Sequence, residues 1–316
     1  MKGILNFGFV LGYFLITVQL SDSSLFAQNE LTITDFIYDP DIISPVYPEN
    51  KGPKIYLDEG HHIRNTYGGL GGFKAFRNVL RNDGYQVVSI KDQFTSKSLQ
   101  IVRIIVIALA QNEKNLEPRW YNPTYSAFKG SELIALKKWV KNGGSLFLIV
   151  DHHPFAGAAK DLAKEFGIEL INGHAMDKIT ANPHYFNINN KTLHSNIITK
   201  GRNHSEIIDS ILTFSGSAMN LPVDAKPILT FDKDWLHYLP ERAWDFENIK
   251  PTSIEGLSQG AFMEYGIGKL VIFGDGNMFS AQVDKDGEVA GFIHPYAKHN
   301  YRLLLNIIHY LDGLLE

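Results

Sequence analysis

The chain has 316 residues and no cysteine. That excludes disulfides, thiolate metal sites, a lipoprotein cysteine and a thiol nucleophile. Thirty Lys and Arg stand against 34 Asp and Glu, and the net charge of -4 is spread along the chain. No basic tract points to nucleic acid and no acidic tail points to a disordered arm.

The first element reads as a targeting segment. Lys2 is followed by the mostly apolar run Ile4 to Leu20 and a small, polar exit from Ser21 to Gln28. This order is that of a cleavable signal peptide over residues 1–27. The expectation is an exported protein, periplasmic or extracellular, with no stable membrane insertion after cleavage. No other run is apolar for long enough to span a bilayer.

Residues 28–52 read as a leading strand, Leu31 to Tyr38, and a proline-punctuated link. Residues 53–316 then read as a single α/β domain. Lys54 to Leu57 is a strand. Phe73, Phe76 and Leu80 share one helical face, closed by Asn82-Asp83-Gly84. Tyr85 to Ile90 is a strand, and Ile101 to Leu109 is a continuous apolar run suited to a strand covered on both faces. Ser131 to Lys141 is a helix, with Ser131 as its cap and Gly143 as its stop. Ser145 to Val150 is another strand, and Ala158 to Phe166 another short helix. The stretch 170–258 reads as an irregular excursion that forms a rim or lid. Gly260 to Tyr265 and Lys269 to Phe273 form a hairpin around Gly266-Ile267-Gly268. Leu303, Leu304, Ile307, Ile308 and Leu311 make the core stripe of a last helix.

Strands alternating with helices predict a doubly wound, mostly parallel sheet with helices on both faces. Its strands then share one carboxyl edge, where ligands bind in folds of this kind. Three strands end in polar clusters: Asp58-Glu59-Gly60-His61-His62, Asp151-His152-His153, and Gly274-Asp275-Gly276-Asn277. Carboxylates and imidazoles together suit a divalent metal such as zinc, manganese or iron. Asp58, His61, Asp151, His152 and Asp275 are the candidate ligands. Glu59 and His153 are the candidate acid–base residues, and His62 and Asn277 line the pocket. Two other readings stay open: a metal-free polar pocket, and purely structural strand ends.

Other motifs carry less. The turn Gly68-Gly69-Leu70-Gly71-Gly72 lacks the lysine and hydroxyl residue of a phosphate loop, and it does not fit the dinucleotide fingerprint, so no nucleotide cofactor is expected. Thr213 to Ala218 offers hydroxyls without the Gly-x-Ser-x-Gly elbow. His174, His184, His204 and His237 read as surface or hydrogen-bonded histidines. The Asp151-His152-His153 triplet is similar to that of metal-dependent phosphoesterases, but the first strand here lacks their aspartate-rich end.

The passage from Lys54 to His62, the Gly-rich turn and the segment Phe76 to Tyr85 resemble the opening of an uncharacterised family in the class I glutamine amidotransferase-like superfamily. The helix Ser131 to Trp139 followed by Asn142-Gly143-Gly144-Ser145-Leu146, and Gly274 to Gln282, extend the resemblance over most of 53–312. It implies a flavodoxin-like fold. It also implies that Val150-Asp151-His152-His153 stands where amidotransferases carry their nucleophilic cysteine, so thiol-dependent glutamine hydrolysis is excluded. Relatives of this fold include trehalose-utilisation-like proteins and noncatalytic domains of sugar-cleaving enzymes. The resulting expectation is a metal-assisted hydrolase acting on a small polar or carbohydrate-type substrate. The alternative is a noncatalytic sugar-binding or structural domain.

Overall fold

A computed structural model describes residues 34–35, 38–62, 73–178, 184–283 and 287–315. The expected signal peptide, most of the leading strand and the Gly-rich turn at 68–72 lie outside the described residues. No helix among the described residues is long and apolar enough to cross a membrane.

The elements follow in chain order. Strands β1 (Thr34–Asp35) and β2 (Lys54–Asp58) precede helix α1 (Lys74–Asn82). Strands β3 (Gln86–Ile90) and β4 (Ile104–Ala108) lead to α2 (Gly130–Lys141), β5 (Ser145–Ile149) and α3 (Phe155–Lys164). The stretch read as irregular contains short strands: β6 (Glu169–Leu170), β7 (His174–Asp177), β8 (His184–Asn187) and, after the one-turn helix α4 (Ile197–Lys200), β9 (Ser210–Thr213). It continues with β10 (Met219–Asn220), β11 (Lys226–Thr230), β12 (Trp235–Tyr238) and β13 (Thr252–Ser253). The hairpin β14 (Ser258–Tyr265) and β15 (Gly268–Phe273), then β16 (Ala281–Val283), β17 (Val289–Gly291) and α5 (Asn300–Asp312), complete the chain.

Among the described residues, nine strands form the main sheet, in the order β3-β2-β4-β5-β15-β14-β10-β6, with β11 also paired to β14. The pairs β3-β2, β2-β4, β4-β5 and β5-β15 are parallel. Counting only these strands, the order is 2-1-3-4-5, that of flavodoxin-like sheets. From β14 outward the pairing is antiparallel. The predicted hairpin is thus the point where the sheet changes direction.

The strand period of two sends alternate side chains to opposite faces. Ile55, Leu57, Ile104, Val106, Phe147 and Ile149 pack with α1 and α5 on one face. Ile105, Ile107, Leu146 and Leu148 pack with α2 and α3 on the other. All five residues of the predicted stripe on α5 are buried. Each such Leu or Ile contributes about 1.5–3 kcal/mol of transfer free energy.

Two helix starts differ from the sequence reading. The cap of α2 is Lys129, not Ser131, and Glu132 closes the turn by accepting the Lys129 backbone N–H at 3.0 Å. A carboxylate in a first helical turn is favoured by the orphan amides and the helix dipole. Helix α3 starts at Phe155, immediately after the turn that carries His152, His153 and Pro154. Gly143 does follow the end of α2, at φ 107.

Candidate functional site

Because β2, β4, β5 and β15 are parallel, their carboxyl ends share one edge, and all three polar clusters lie there. Lateral spacing then divides the expected site. Asp58 leaves β2, whereas Asp151 leaves β5, two strands and roughly 10 Å away. Asp275 leaves β15, next to β5.

The first group surrounds His61. Its Nδ1 lies 3.0 and 2.9 Å from the two Asp58 carboxylate oxygens, and its Nε2 lies 3.1 Å from Glu132 Oε1. Its ring is packed between Phe94 and Phe128, at centroid distances of 4.9 and 4.8 Å. Burial alone would lower the pKa of His61, but the hydrogen bond and charge of Asp58, followed by those of Glu132, outweigh it and raise the pKa. Burial pushes Glu132 up, yet the N–H groups of Lys129 and Phe94, and then His61, bring its pKa below the usual range. Asp58 also accepts the Gly60 N–H at 2.9 Å. This group ties the end of β2 to the start of α2.

The second group is a carboxylate pair. Asp151 accepts N–H donors from His152 at 2.7 Å and Gly276 at 3.1 Å, and the Ser215 hydroxyl at 3.3 Å. Asp275 accepts N–H donors from Phe214 at 2.7 Å, Asn277 at 2.9 Å and Met278 at 3.4 Å. Burial, and then the charge of Asp151, raise the pKa of Asp275 well above the carboxylate range, against the pull of those three donors. Close backbone approach makes the pair feasible. A Cβ on Gly276 would lie 2.8 Å from Leu109 Cδ2 and 3.2 Å from Asp151 Oδ2.

The third group is built of imidazoles and indoles. His152 and His174 stack with ring centroids 4.6 Å apart and planes 13° apart. Trp244 stands edgewise to both, at 4.5 and 4.8 Å, and Phe246 lies 5.1 Å from His174. Trp120 approaches His152 at 6.0 Å. Trp244 has φ 69, a left-handed conformation that is strained for a bulky residue. His152 Nδ1 contacts the His153 carbonyl at 2.6 Å, and His153 Nδ1 lies 2.8 Å from the Asn172 amide.

His174 and His237 are buried, which corrects their reading as surface or hydrogen-bonded residues. Among the described residues, neither ring nitrogen of His174 has a hydrogen-bond partner, and His237 Nε2 also has none. Burial, and then the neighbouring His152, His153 and His237, hold His174 far below the usual histidine range. Burial lowers His237 to about 4. For His153, burial leads the causes that lower it.

The structure therefore places the nine sequence candidates as follows. Asp58 joins His61, and Asp151 joins Asp275. His152 belongs to the stacked pair, and His153 rests on Asn172. Glu59 lies over the end of β3, donating its N–H to Ile90 and facing Lys91 Nζ at 3.9 Å, so it is not beside His153. His62 is exposed with φ 47, and Asn277 is half-buried and accepts from the Gln282 amide at 3.3 Å.

These residues do not fit a divalent metal as drawn from the sequence. Among the described residues, no group of three or more His, Asp or Glu side chains is arranged to hold one. The carboxylates are engaged by backbone N–H groups or by His61, and parallel stacking keeps two imidazoles from converging on a shared ion.

Glu132, Asn172, Trp120 and Trp244 have no site role in the sequence reading, which takes His174 and Ser215 only as a structural histidine and a passing hydroxyl. For Glu132 a signal existed, its position in the first turn of a helix. The rest depend on chain pairing far along the sequence. Two cavities lie elsewhere. One, of about 540 Å³, includes Tyr185, Asn187, Thr199 and Ser210, and the other, of about 100 Å³, includes Asp83, Glu206, Asn306 and His309. Neither is lined by a strand-end candidate.

No protein-family model matches the chain, and no curated protein matches it. Solved structures do. The N-terminal domain of mmIFT52 is similar at 16% identity with a TM-score of 0.54, covering 82% of this chain and 97% of that one. A protein described as thua-like from Bacteroides uniformis is 10% identical with a TM-score of 0.46, covering 87% and 95%. A beta-galactosidase from Bacillus circulans sp. alkalophilus is 8% identical with a TM-score of 0.45, covering 83% of this chain and 31% of its own. The likeness is one of fold. Only the mmIFT52 domain is similar enough to carry that likeness, and the α/β architecture expected from the sequence is read from the sheet itself.

Proposed function

We propose that this chain is an exported, noncatalytic domain that binds a small polyhydroxylated, carbohydrate-type ligand at the carboxyl edge of its sheet. The observation that carries this reading is the strained Trp244 set against the His152–His174 stack, with both His174 nitrogens unpartnered. A neutral imidazole offers one donor and one acceptor, the complement of a hydroxyl group. Half-buried indoles supply apolar faces beside it, and binding sites commonly combine aromatic walls with a few polar groups.

A hydrolase is the second reading. It is favoured by Asp275 beside Asp151, because burial raises the Asp275 carboxyl well above the usual range and a raised carboxyl can donate a proton. Their burial behind backbone donors weighs against it, and no step is routed through a metal. Export is carried by the Lys2, Ile4–Leu20 and Ser21–Gln28 pattern.

The test is binding of the untagged protein to a glycan array, followed by calorimetry and mass spectrometry on each hit. Stoichiometric binding without product, lost in Trp244→Ala, is the expected result. Product formation would replace this reading with the hydrolase, and no binding to any glycan would remove it.

A further inference from the structure

The cavity of about 540 Å³ lies between the β8–β9 pair and α4. Backbone bonds fix its walls. Strands β8 and β9 pair antiparallel, with Asn187 opposite Ser210. The Ile188 N–H donates to the Asp209 C=O at 3.0 Å, and the Ile208 N–H donates to the Thr199 C=O at 2.8 Å. The segment 207–210 is therefore tied to the end of β8 on one side and to α4 on the other. Lys200, the last residue of α4, and Asp209 both line the cavity between them.

We infer that this cavity binds a free amino acid with an apolar side chain, held as its zwitterion between Lys200 and Asp209. The site is separate from the sheet edge and does not depend on how that edge is read. Three observations carry it.

First, the volume falls within the roughly 300–1,000 Å³ that small-molecule sites span. Second, two opposite charges line one cavity without meeting. Among the described residues, the Lys200 ammonium enters no ion pair and no hydrogen bond. Asp209 is engaged through one oxygen: its Oδ1 accepts the Ser210 hydroxyl at 2.6 Å and lies 3.1 Å from His299 Nδ1. Among the described residues, its Oδ2 accepts nothing. A neutral sugar would answer neither charge. A simple anion would face Asp209, and a simple cation would face Lys200. A zwitterion answers both, with its carboxylate toward Lys200 and its ammonium toward Asp209. Third, the lining carries uncovered apolar surface. Tyr185 is 43% exposed and Ile207 is 45% exposed, and Ile188 and Ile208 line the cavity with them. An apolar side chain laid on that surface removes it from water.

The test is a resonance titration of the full untagged chain with L-leucine, N-acetyl-L-leucine and L-leucinamide at pH about 7, where leucine is a zwitterion. Leucine should shift Tyr185 and Ile208 saturably, with a Kd of about 1 mM or tighter. The acetylated ligand lacks the ammonium and the amide lacks the carboxylate, so each should bind at least ~10-fold more weakly. Lys200→Gln should weaken leucine at least ~10-fold and leave leucinamide unchanged. Asp209→Asn should weaken leucine as much and leave N-acetyl-leucine unchanged. Both positions are exposed, so neither variant disturbs the core. Should either fail to fold, the three ligands on the unsubstituted chain decide. No saturable shift at ~10 mM leucine would overturn the inference. So would a blocked ligand binding as tightly as leucine, or either variant binding leucine at full strength. Tighter binding of leucyl-leucine would overturn the free amino acid as occupant in favour of a peptide.

Discussion

His152 and His174 lie face to face, 4.6 Å between ring centroids, although 22 positions separate them along the chain and they belong to different elements. One follows the parallel strand β5 and the other opens β7, which pairs with β12. Their meeting depends on Gly173. A Cβ there would lie 2.4 Å from the Tyr238 carbonyl oxygen and 2.7 Å from His237 Cε1. Gly173→Ala should therefore destabilise the chain by about 1–3 kcal/mol, as overpacking does, and should move the His174 ring. Urea unfolding and the histidine resonances would check both parts.

The strained Trp244 gives a second expectation. Trp244→Ala and Trp244→Gly both delete the ring and its contacts to His152 and His174. Only glycine also relieves φ 69. Glycine should be the more stable of the two by about 1 kcal/mol. Equal stability in denaturant titration would show that the conformation costs little.

Acid stability follows from the buried histidines. His237 is lowered to about 4 when folded, so the folded state binds fewer protons than the unfolded chain between that value and the ordinary pKa of about 6.5. Stability rises with pH across that window and is lost as pH falls through it, by about 3 kcal/mol at full effect. His174 acts in the same direction. His61 acts in the opposite one. Its folded pKa is raised, so its contribution is present below the unfolded value and is lost as pH rises through the folded value. His237→Phe should flatten the acid limb of a stability–pH curve, and His61→Phe should not.

Glu132→Gln should weaken the tie between β2 and α2. It removes the charge opposite His61 while keeping one acceptor for the N–H groups of Phe94 and Lys129. The expected cost is about 1–3 kcal/mol, since His61 loses its charged partner while the amide oxygen still accepts from backbone N–H. His61 should also titrate at lower pH, which a proton resonance titration reads directly.

Metal removal should be silent. A chelator should leave the melting temperature unchanged, and Asp151→Asn with His152→Ala should leave metal content unchanged, because the carboxylates already hold backbone donors. A chelator-induced loss of several degrees in calorimetry would contradict the geometry.

The parallel sheet was legible because its strands are short apolar runs such as Ile104–Ala108, covered on both faces. The shared edge was legible because Asp58, Asp151 and Asp275 each follow such a run. What was not legible was the distance between them. Strand order decides that Asp151 meets Asp275 and misses Asp58, and no local pattern in the sequence encodes strand order. The same limit hid His174 and His237, which sit on β7 and β12. Their environment comes from pairing with each other and with the turn after β5, not from their own neighbours in sequence.

The hairpin of β14 and β15 also sets a timetable for synthesis. Strand β15 docks beside β5, although more than a hundred residues come between them in the chain. A nascent chain that has emerged only as far as β5 therefore exposes an unpaired, apolar strand edge, and Asp151 lacks its Gly276 partner. Such distant pairing slows folding and leaves the edge open to misassociation meanwhile. The last fifty or so residues, which bring β15 and α5, close that edge and cover one face of the sheet, so loss of the C-terminal segment should be felt first as aggregation.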